Sequence, residues 1–250
     1  MSIVSLSYFR FEPGTARVWA FAQMALARRP LRETTSIGFH KMFGTGTGEG
    51  FTLKPNPGLW ALLATWPDLE TARAQVNGSK VFVGYRRRAA EDFSLFLRPY
   101  SSRGEWDGQS PFTVTAEDAS PTPIAVLTRA TIKPRRARAF WRHAPHVSNT
   151  IGENEDVLFK AGMGELPGLQ QVTFSVWPDM QSMSRFAYRS ADHSNAIRNV
   201  RDGGFFKEEL YARFRVMGTE GTWQGGDPIA MHLLTTAALN GADKSHMEGA

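Results

Sequence analysis

The stretch that decides the fold is AEDFSLFLRPYSSRGEWDG, residues 90–108, because its pattern returns once as KEELYARFRVMGTEGTWQG, residues 207–225. In both copies apolar residues alternate with other residues, the period of two that is typical of a β-strand with one face in a core. A tryptophan and a glycine follow at the same distance in each copy. The aligned pairs include Phe93 and Leu210, Leu97 and Phe214, Arg98 and Arg215, and Trp106 and Trp223.

Two further signatures precede this stretch in each half of the chain. Trp66-Pro67-Asp68 returns as Trp177-Pro178-Asp179, and the glycine signature GTGE at residues 46–49 returns as GMGE at residues 162–165. Three matches in the same order indicate an internal duplication rather than chance. We therefore predict that the two halves share one fold.

Each half has the same predicted order of elements. An alternating, half-buried strand comes first, around Leu6 in one half and Val126 in the other. A helix follows, with Trp19, Ala22/Gln23 and Leu26 predicted as its inner face in the first half, and a start at Pro134 in the second. Two hairpin strands, a second helix and a final strand complete the order, and the predicted N-caps of the second helices are Asp68 and Asp179.

The predicted fold class is α+β, with two tandem ferredoxin-like (βαββαβ) units. Each unit leaves one sheet face bare, so the two pack together as an intrachain α+β barrel or sandwich whose enclosed space suits an apolar ligand. The predicted divisions are residues 1–108 for the first repeat, 109–123 for a linker, 124–225 for the second repeat and 226–250 for a C-terminal tail.

Composition excludes several classes of protein. The chain has 250 residues, 42% of them hydrophobic, and no cysteine. Disulfide scaffolds, zinc ribbons, iron–sulfur clusters and thiolate-ligated haem are therefore excluded. The N-terminus lacks the pattern of a signal peptide and no stretch is long enough to span a bilayer as a helix, so we expect a cytoplasmic protein.

The chain is basic, with a net charge of +5 and a pI of about 9.7. Its arginine clusters are solvated helix faces or surfaces for anionic lipid or nucleic acid; they lie at Arg28-Arg29, Arg86-Arg87-Arg88 and Arg135-Arg136 with Arg138. No specific nucleic-acid binding is expected, because binding through charge alone is non-specific. The glycine run at 44–50 has neither the GxxxxGK[ST] nor the GxGxxG spacing of a phosphate loop.

His193 is the strongest candidate metal ligand of the six histidines. It follows Asp192, a predicted N-cap, and shares a helical face with Ile197 and Val200. A helix N-terminus favours the neutral imidazole that a metal needs. The alternative is a hydrogen-bonded core histidine. The arginines of this region either meet acidic groups of a cofactor or face water; they are Arg185, Arg189, Arg198 and Arg201.

The chain resembles the spheroidene monooxygenase family of bacterial carotenoid biosynthesis. The resemblance spans most of residues 3–225 and is carried by long strings that include GFHKMFGTGTGEGFTLKPNPGLWALLATWPD, LFKAGMGELP, QQVTFSVWPD and GGFFKEELYARFRV. It implies a monooxygenase that oxygenates acyclic carotenoids, converting spheroidene to spheroidenone by successive hydroxylations at C-2. It also implies haem b, dioxygen as cosubstrate and a reduced ferredoxin as electron donor.

If the family uses haem, a histidine is the leading iron ligand, because the chain has no cysteine. We therefore predict His193 as the metal ligand and Arg198 as a second cofactor-binding residue. An apolar polyene substrate also implies peripheral contact with the inner membrane, without insertion, which we expect at a basic face that includes some of Arg86, Arg87 and Arg88. The competing hypothesis is a non-catalytic ligand-binding module of duplicated ferredoxin-like fold, since a fold does not determine a function.

Overall fold

The computed structural model describes residues 2–48, 52, 54–114, 123–142, 156–189 and 204–235. Four strands and four helices form its first half. Alternating apolar residues form the strands, and shorter segments with apolar residues on one face form the helices. In chain order they are β1 (Ile3–Arg10), α1 (Thr15–Leu26), α2 (Arg28–Arg32), β2 (His40–Gly46), β3 (Pro55–Trp66), α3 (Leu69–Gly78), α4 (Lys80–Arg86) and β4 (Glu91–Gly104).

The second half repeats the order of the strands. Pro134 opens a short 3₁₀ turn that leads into a helix, as its fixed φ angle favours. The elements are β5 (Ile124–Ile132), the 3₁₀ turn Pro134–Arg136, α5 (residues 137–142), β6 (Phe159–Gly164), β7 (Gln170–Trp177), α6 (Met180–Arg189), β8 (Phe206–Gly221) and α7 (residues 230–235).

All eight strands close into one antiparallel barrel, in the order β1-β3-β2-β6-β7-β5-β8-β4. The halves meet at two seams. The long seam joins β4 to β8, and the short seam joins β2 to β6 through Gly44 opposite Gly164 and Thr45 opposite Met163. The predicted α+β barrel is confirmed, whereas the predicted alternative of a sandwich is wrong because closure leaves no free sheet edge.

Residues that the sequence aligns have matching local geometry. Trp106 and Trp223 each sit in a turn closed by an isolated bridge, to Gln109 and Gly226 respectively. The glycines that end β4 and β8 both have positive φ angles, 94° at Gly104 and 85° at Gly221. A Cβ atom there would lie only 2.1 or 2.2 Å from a backbone oxygen of the facing strand, so a side chain is sterically excluded at both positions.

The barrel interior is packed with side chains. Inward residues of both halves form one continuous apolar core across the barrel axis. Among the described residues, large aromatic rings from facing strands therefore occupy the interior where the sequence predicted an enclosed space for an apolar ligand. The buried rings are Tyr8, Phe43, Phe93, Phe159, Phe174, Phe214 and Trp106.

The predicted linker and tail each contribute one buried side chain to this core, and Leu233 of the tail packs against it. Phe112 is buried and packs edge-on against Phe214, with ring centroids 5.1 Å apart. Ile229 is fully buried in the same cluster. Residues 109–114 and 226–235 thus extend over the barrel, Pro123 accepts a hydrogen bond from the Val216 amide, and residues 115–122 and 236–250 lie outside the described ranges.

The outer face of the first half is covered by α1 to α4. The prediction of a half-buried first strand is wrong here, since every residue of β1 except the last is buried. The outward serines are tolerated because they pair: Ser7 Oγ lies 2.8 Å from Ser94 Oγ, and the Trp66 indole donates to Ser5 Oγ at 2.8 Å.

The helices confirm the predicted caps, whereas the predicted inner face of α1 is partly wrong. Asp68 and Asp179 cap α3 and α6, each accepting a backbone N–H through its carboxylate at 2.7 Å, as predicted. The predicted inner face of α1 is partly wrong, because Leu26 is 65% exposed whereas Ala20 is fully buried. Ala20 thus lies on the packed face of α1, and helical geometry places Leu26, six residues later, about 120° away from that face.

None of the helices in the described ranges is long and apolar enough to span a bilayer.

Candidate functional site

A cleft of about 600 Å³ opens beside the second half of the barrel, between α5 and the turn that joins β6 to β7. The Trp141 indole donates to the Gly168 carbonyl at 2.8 Å and so ties α5 to this turn. The cleft is shallow and widely open to solvent, so it differs from the enclosing pockets that bury most of a small ligand. The lining residues are Ala137, Arg138, Trp141, Arg142, Pro167, Gly168 and Leu169.

The cleft combines apolar walls with two cations. Arg138 and Arg142 are four residues apart, so helical geometry places them on the same face of α5. Trp141, Pro167 and Leu169 supply apolar surface beside them. Guanidinium groups bind carboxylates with two parallel hydrogen bonds. The described cleft is therefore suited to a flat apolar ligand that carries carboxylates at one edge.

The outer sheet face near the cleft is more open than its counterpart in the first half. Thr128 pairs with Thr173 across β5 and β7, and both are half-buried. In the first half, Ser7 pairs with Leu62 across β1 and β3, and both are buried beneath helices. The second half thus presents hydroxyl groups on a sheet face that its described helices, α5 and α6, cover incompletely.

A network of charges closes the barrel end next to this cleft. The Arg129 side chain is 0% exposed and forms ion pairs with Glu208 and, at 3.3 Å, with Asp107. Lys41 pairs with Asp107 and, at 2.8 Å, with Glu165. Glu165 also accepts a hydrogen bond of 2.8 Å from the buried Trp106 indole. Because Glu165 begins the turn that lines the cleft, this network holds one cleft wall against the barrel.

The network shifts the pKa values of its members. Burial raises the pKa of Glu208, but hydrogen bonds from the Gly108 amide and the Arg129 guanidinium outweigh it, so the pKa is lowered overall. Burial lowers the pKa of Lys41, but hydrogen bonds and charge interactions with Asp107 and Glu165 outweigh it, so that pKa is raised. Both groups are therefore held in their charged forms at neutral pH.

The predicted site residues His193 and Arg198 lie outside the described residues, as do His143, His146 and His246. Of the other predicted arginines, Arg185 faces Asp156 at 3.5 Å, and Arg201 lies outside the described ranges. His40 begins β2, with its Nδ1 atom 3.1 Å from the Gly38 carbonyl oxygen. Within the described ranges, no group of three or more His, Cys, Asp or Glu residues is placed to hold a metal ion.

Haem fits the described cleft in part. The apolar walls and the neighbouring guanidinium groups of Arg138 and Arg142 offer contacts for a macrocycle with two carboxylates, whereas the open shape does not enclose one. None of the lining residues is a histidine, tyrosine or methionine, so the described cleft contains no protein ligand for the iron. An iron ligand would have to come from residues beyond the described ranges, such as His193.

Sequence reasoning missed the contributions of Trp141, Arg142 and the β6–β7 turn. The i, i+4 spacing of Arg138 and Arg142 in RRARAFWRHA was the available signal, and it indicates one basic helix face. Nothing in the local pattern indicates that this face meets residues 167–169. That contact depends on the way β6 and β7 return beside β5 in the barrel.

Similar proteins were found by sequence, although no protein-family model matches the chain. The chain is 46% identical over 236 residues to the spheroidene monooxygenase of Rhodobacter capsulatus, covering 94% of this chain and 98% of that protein. It is 46% identical over 234 residues to the spheroidene monooxygenase of Cereibacter sphaeroides, covering 93% and 72%. The spheroidene monooxygenase of Rubrivivax gelatinosus is 35% identical over 210 residues, covering 84% and 80%.

A solved structure shares the fold. An aldoxime dehydratase, crystallised in complex with butyraldoxime, matches with a TM-score of 0.60 at 9% identity, over 92% of this chain and 85% of that one. This match shows a common architecture and nothing about the reaction. Because relatives at 46% identity align over nearly the whole chain, the protein belongs to the spheroidene monooxygenase family.

Proposed function

We propose that this protein is an oxidoreductase that oxygenates acyclic carotenoids, with spheroidene converted to spheroidenone by successive hydroxylations at C-2. The observation that carries the proposal is the 46% identity to the Rhodobacter capsulatus spheroidene monooxygenase over 98% of that protein. The reaction inserts oxygen from dioxygen, the cosubstrate, and takes its electrons from a reduced ferredoxin.

Haem b is the proposed cofactor, and its chemistry when bound is the activation of dioxygen. Arg138 and Arg142 would pair with its carboxylates, and Trp141 and Leu169 would pack against the macrocycle and exclude water. His193 is the proposed iron ligand and Arg198 a further cofactor contact. The cleft walls supply the apolar surface that a polyene requires beside the cofactor.

The scaffold of this site is the second of two proposed ferredoxin-like units. Two observations support this division. The strand orders β4-β1-β3-β2 and β8-β5-β7-β6 are the same within each half, and the aligned tryptophan turns match. In this arrangement the first unit closes the barrel, and the second presents the cleft. We propose a cytoplasmic location with peripheral contact at the inner membrane.

The activity is tested by pigment analysis. A host that accumulates spheroidene is compared with and without the gene for this chain, and the carotenoids are separated by chromatography and identified by mass. We expect a ketocarotenoid only when the protein is expressed. Unchanged pigments in a host that contains folded protein, haem and a ferredoxin would overturn the proposed activity and favour a non-catalytic binding module.

The cofactor is tested by reconstitution with haemin and dialysis. We expect a retained Soret band in the unaltered protein, a weaker one in Arg138→Gln/Arg142→Gln and none in His193→Ala. The matched control is Arg135→Gln/Arg136→Gln, which removes two exposed charges just before α5 without touching the cleft lining. Equal haem retention in both double variants would remove the cleft arginines from the proposal, and retention in His193→Ala would remove that ligand.

A further inference from the structure

The exposed face of α1 is unusually apolar for a helix that packs against a sheet. Val18 is 71% exposed, Phe21 is 70% exposed and Leu26 is 65% exposed. Val18, Phe21 and the exposed Ala25 follow the i, i+3, i+7 spacing of a single helix face. Several large apolar side chains grouped on one surface indicate an interaction site, whereas scattered ones do not.

Cations continue directly from this apolar face. α2 begins two residues after α1 ends, and it carries exposed Arg28, Arg29 and Arg32. Arg29 is neutralised by Glu33, with Nε and Oε1 2.7 Å apart. Arg28 and Arg32 instead donate to the carbonyl oxygens of Met24 and Arg28, and neither forms an ion pair within the described residues. Two unneutralised guanidinium groups therefore flank the apolar face.

Arg88 adds a third cation beside the same helix. Its guanidinium carbon lies 4.4 Å from the centre of the Trp19 ring, and Trp19 packs on α4 through Tyr85, with ring centroids 5.2 Å apart. Arg86, by contrast, is engaged by Asp92, with Nε and Oδ2 2.9 Å apart. Of the arginines expected at a membrane surface, Arg88 is thus the one that borders the apolar face of α1.

We propose that α1 and α2 form a docking surface for an anionic lipid bilayer. Val18, Phe21 and Leu26 would enter the interface between headgroups and acyl chains, while Arg28, Arg32 and Arg88 contact lipid phosphates. An interfacial helix has this arrangement of an apolar face and a basic border. The buried Ala20 of α1 and Leu31 of α2 pack against the rest of the protein. The two helices therefore present this surface without a change of fold.

An acidic protein partner fits these observations less well than a membrane does. The centre of the surface is apolar and its cations lie at one border, whereas an acidic partner would require cations across the contact. The surface is also separate from the cleft, because α1 covers the first half of the barrel and the cleft belongs to the second. The inference therefore does not depend on the proposed reaction.

The test is co-flotation of the full chain with vesicles of phosphatidylcholine alone or with 30 mol% phosphatidylglycerol added, used as the lipid probe at about 0.1 M salt. We expect binding to the anionic vesicles. Phe21→Ser/Leu26→Ser should weaken it roughly tenfold or more, since two apolar side chains lose their burial. Arg28→Gln/Arg32→Gln should weaken it roughly 30-fold, as expected for two cations near an anionic surface.

Two control variants distinguish binding through this surface from nonspecific binding to vesicles. Met231→Ser/Leu234→Ser removes two side chains of equal exposure, 72% and 66%, from α7, which carries no lysine or arginine. Arg135→Gln/Arg136→Gln removes two exposed charges elsewhere. Both should bind as the unaltered protein does. The proposal is overturned if controls and test variants bind equally, or if anionic vesicles bind no more protein than neutral ones. Circular dichroism confirms that each variant is folded.

Discussion

Removing the negative charge of Glu208 should destabilise the protein strongly, because it leaves Arg129 without its main counter-ion. The Arg129 side chain is 0% exposed, and its remaining carboxylate partner, Asp107, is 45% exposed. Glu208 also accepts the Asp107 and Gly108 amides at 3.1 and 2.8 Å. Breaking a buried ion pair from one side costs about 3–5 kcal/mol.

We therefore expect Glu208→Ala to lower the free energy of unfolding by about 3–5 kcal/mol. The measurement is urea denaturation at pH 7, followed both by circular dichroism and by tryptophan fluorescence. Glu208→Gln keeps an acceptor for the Gly108 amide and should lose less. Both variants remove the charge, so the difference between them reports the backbone hydrogen bonds that Glu208 accepts.

The decisive comparison is with Arg129→Met/Glu208→Gln, which removes both charges. We expect the double variant to be more stable than Glu208→Gln, since Arg129 then no longer remains as a buried cation without its main counter-ion. Glu91→Ala provides the matched control, because it leaves Arg10 unpaired at the other barrel end, where Arg10 is 38% exposed, and should therefore cost less. A Glu208→Ala loss below about 1 kcal/mol, or a double variant less stable than the single one, would refute the reasoning.

Three further predictions concern the tryptophan turns and their ion pairs. Gly104→Ala should destabilise the protein more than Gly108→Ala does. A Cβ atom at residue 104 would lie 2.1 Å from a backbone oxygen, whereas a Cβ atom at residue 108 has no atom within 4 Å. The midpoints of thermal unfolding of the two variants test this. Trp106→Ala should cost about 3–5 kcal/mol in urea unfolding, since the indole is fully buried. The pKa of Glu208 is lower in the folded protein than the value of about 4.3 expected in the unfolded chain, so its charge stabilises the fold above that unfolded pKa. This stabilisation is lost as the pH falls through the folded pKa. In urea titrations, Glu208→Gln should therefore lose less stability than the unaltered protein does below about pH 5.

Much of the local structure could be predicted from the sequence because it depends on neighbouring residues. The period-two patterns correctly located β4 and β8, and the aspartates at 68 and 179 form the predicted caps. The repeated tryptophan turn has the same geometry twice, since its glycines must adopt positive φ angles in both copies. The family resemblance also came from the sequence alone, as it rests on long residue strings.

The candidate site combines residues that are far apart in the chain, so it could not be fully predicted from the sequence. Arg138 was predicted only as part of a basic cluster, and Trp141 was missed, because the β6–β7 turn that completes the cleft lies more than twenty residues later in the chain. A buried arginine such as Arg129 would be strongly destabilising in a core if it had no counter-ion. It is tolerated because Glu208 approaches from a neighbouring strand, 79 residues away.

The sequence by itself determined the repeat, the strands, the helix caps and the family, since each follows from residue type and spacing. Only the tertiary structure decided that the two halves fill the barrel interior with rings, turn Leu26 to the surface and leave a cleft outside. Closing the sheet determines which side chains from distant segments share a volume. Packing and ion pairing depend on which distant residues become neighbours in space, and no local sequence pattern specifies those neighbours.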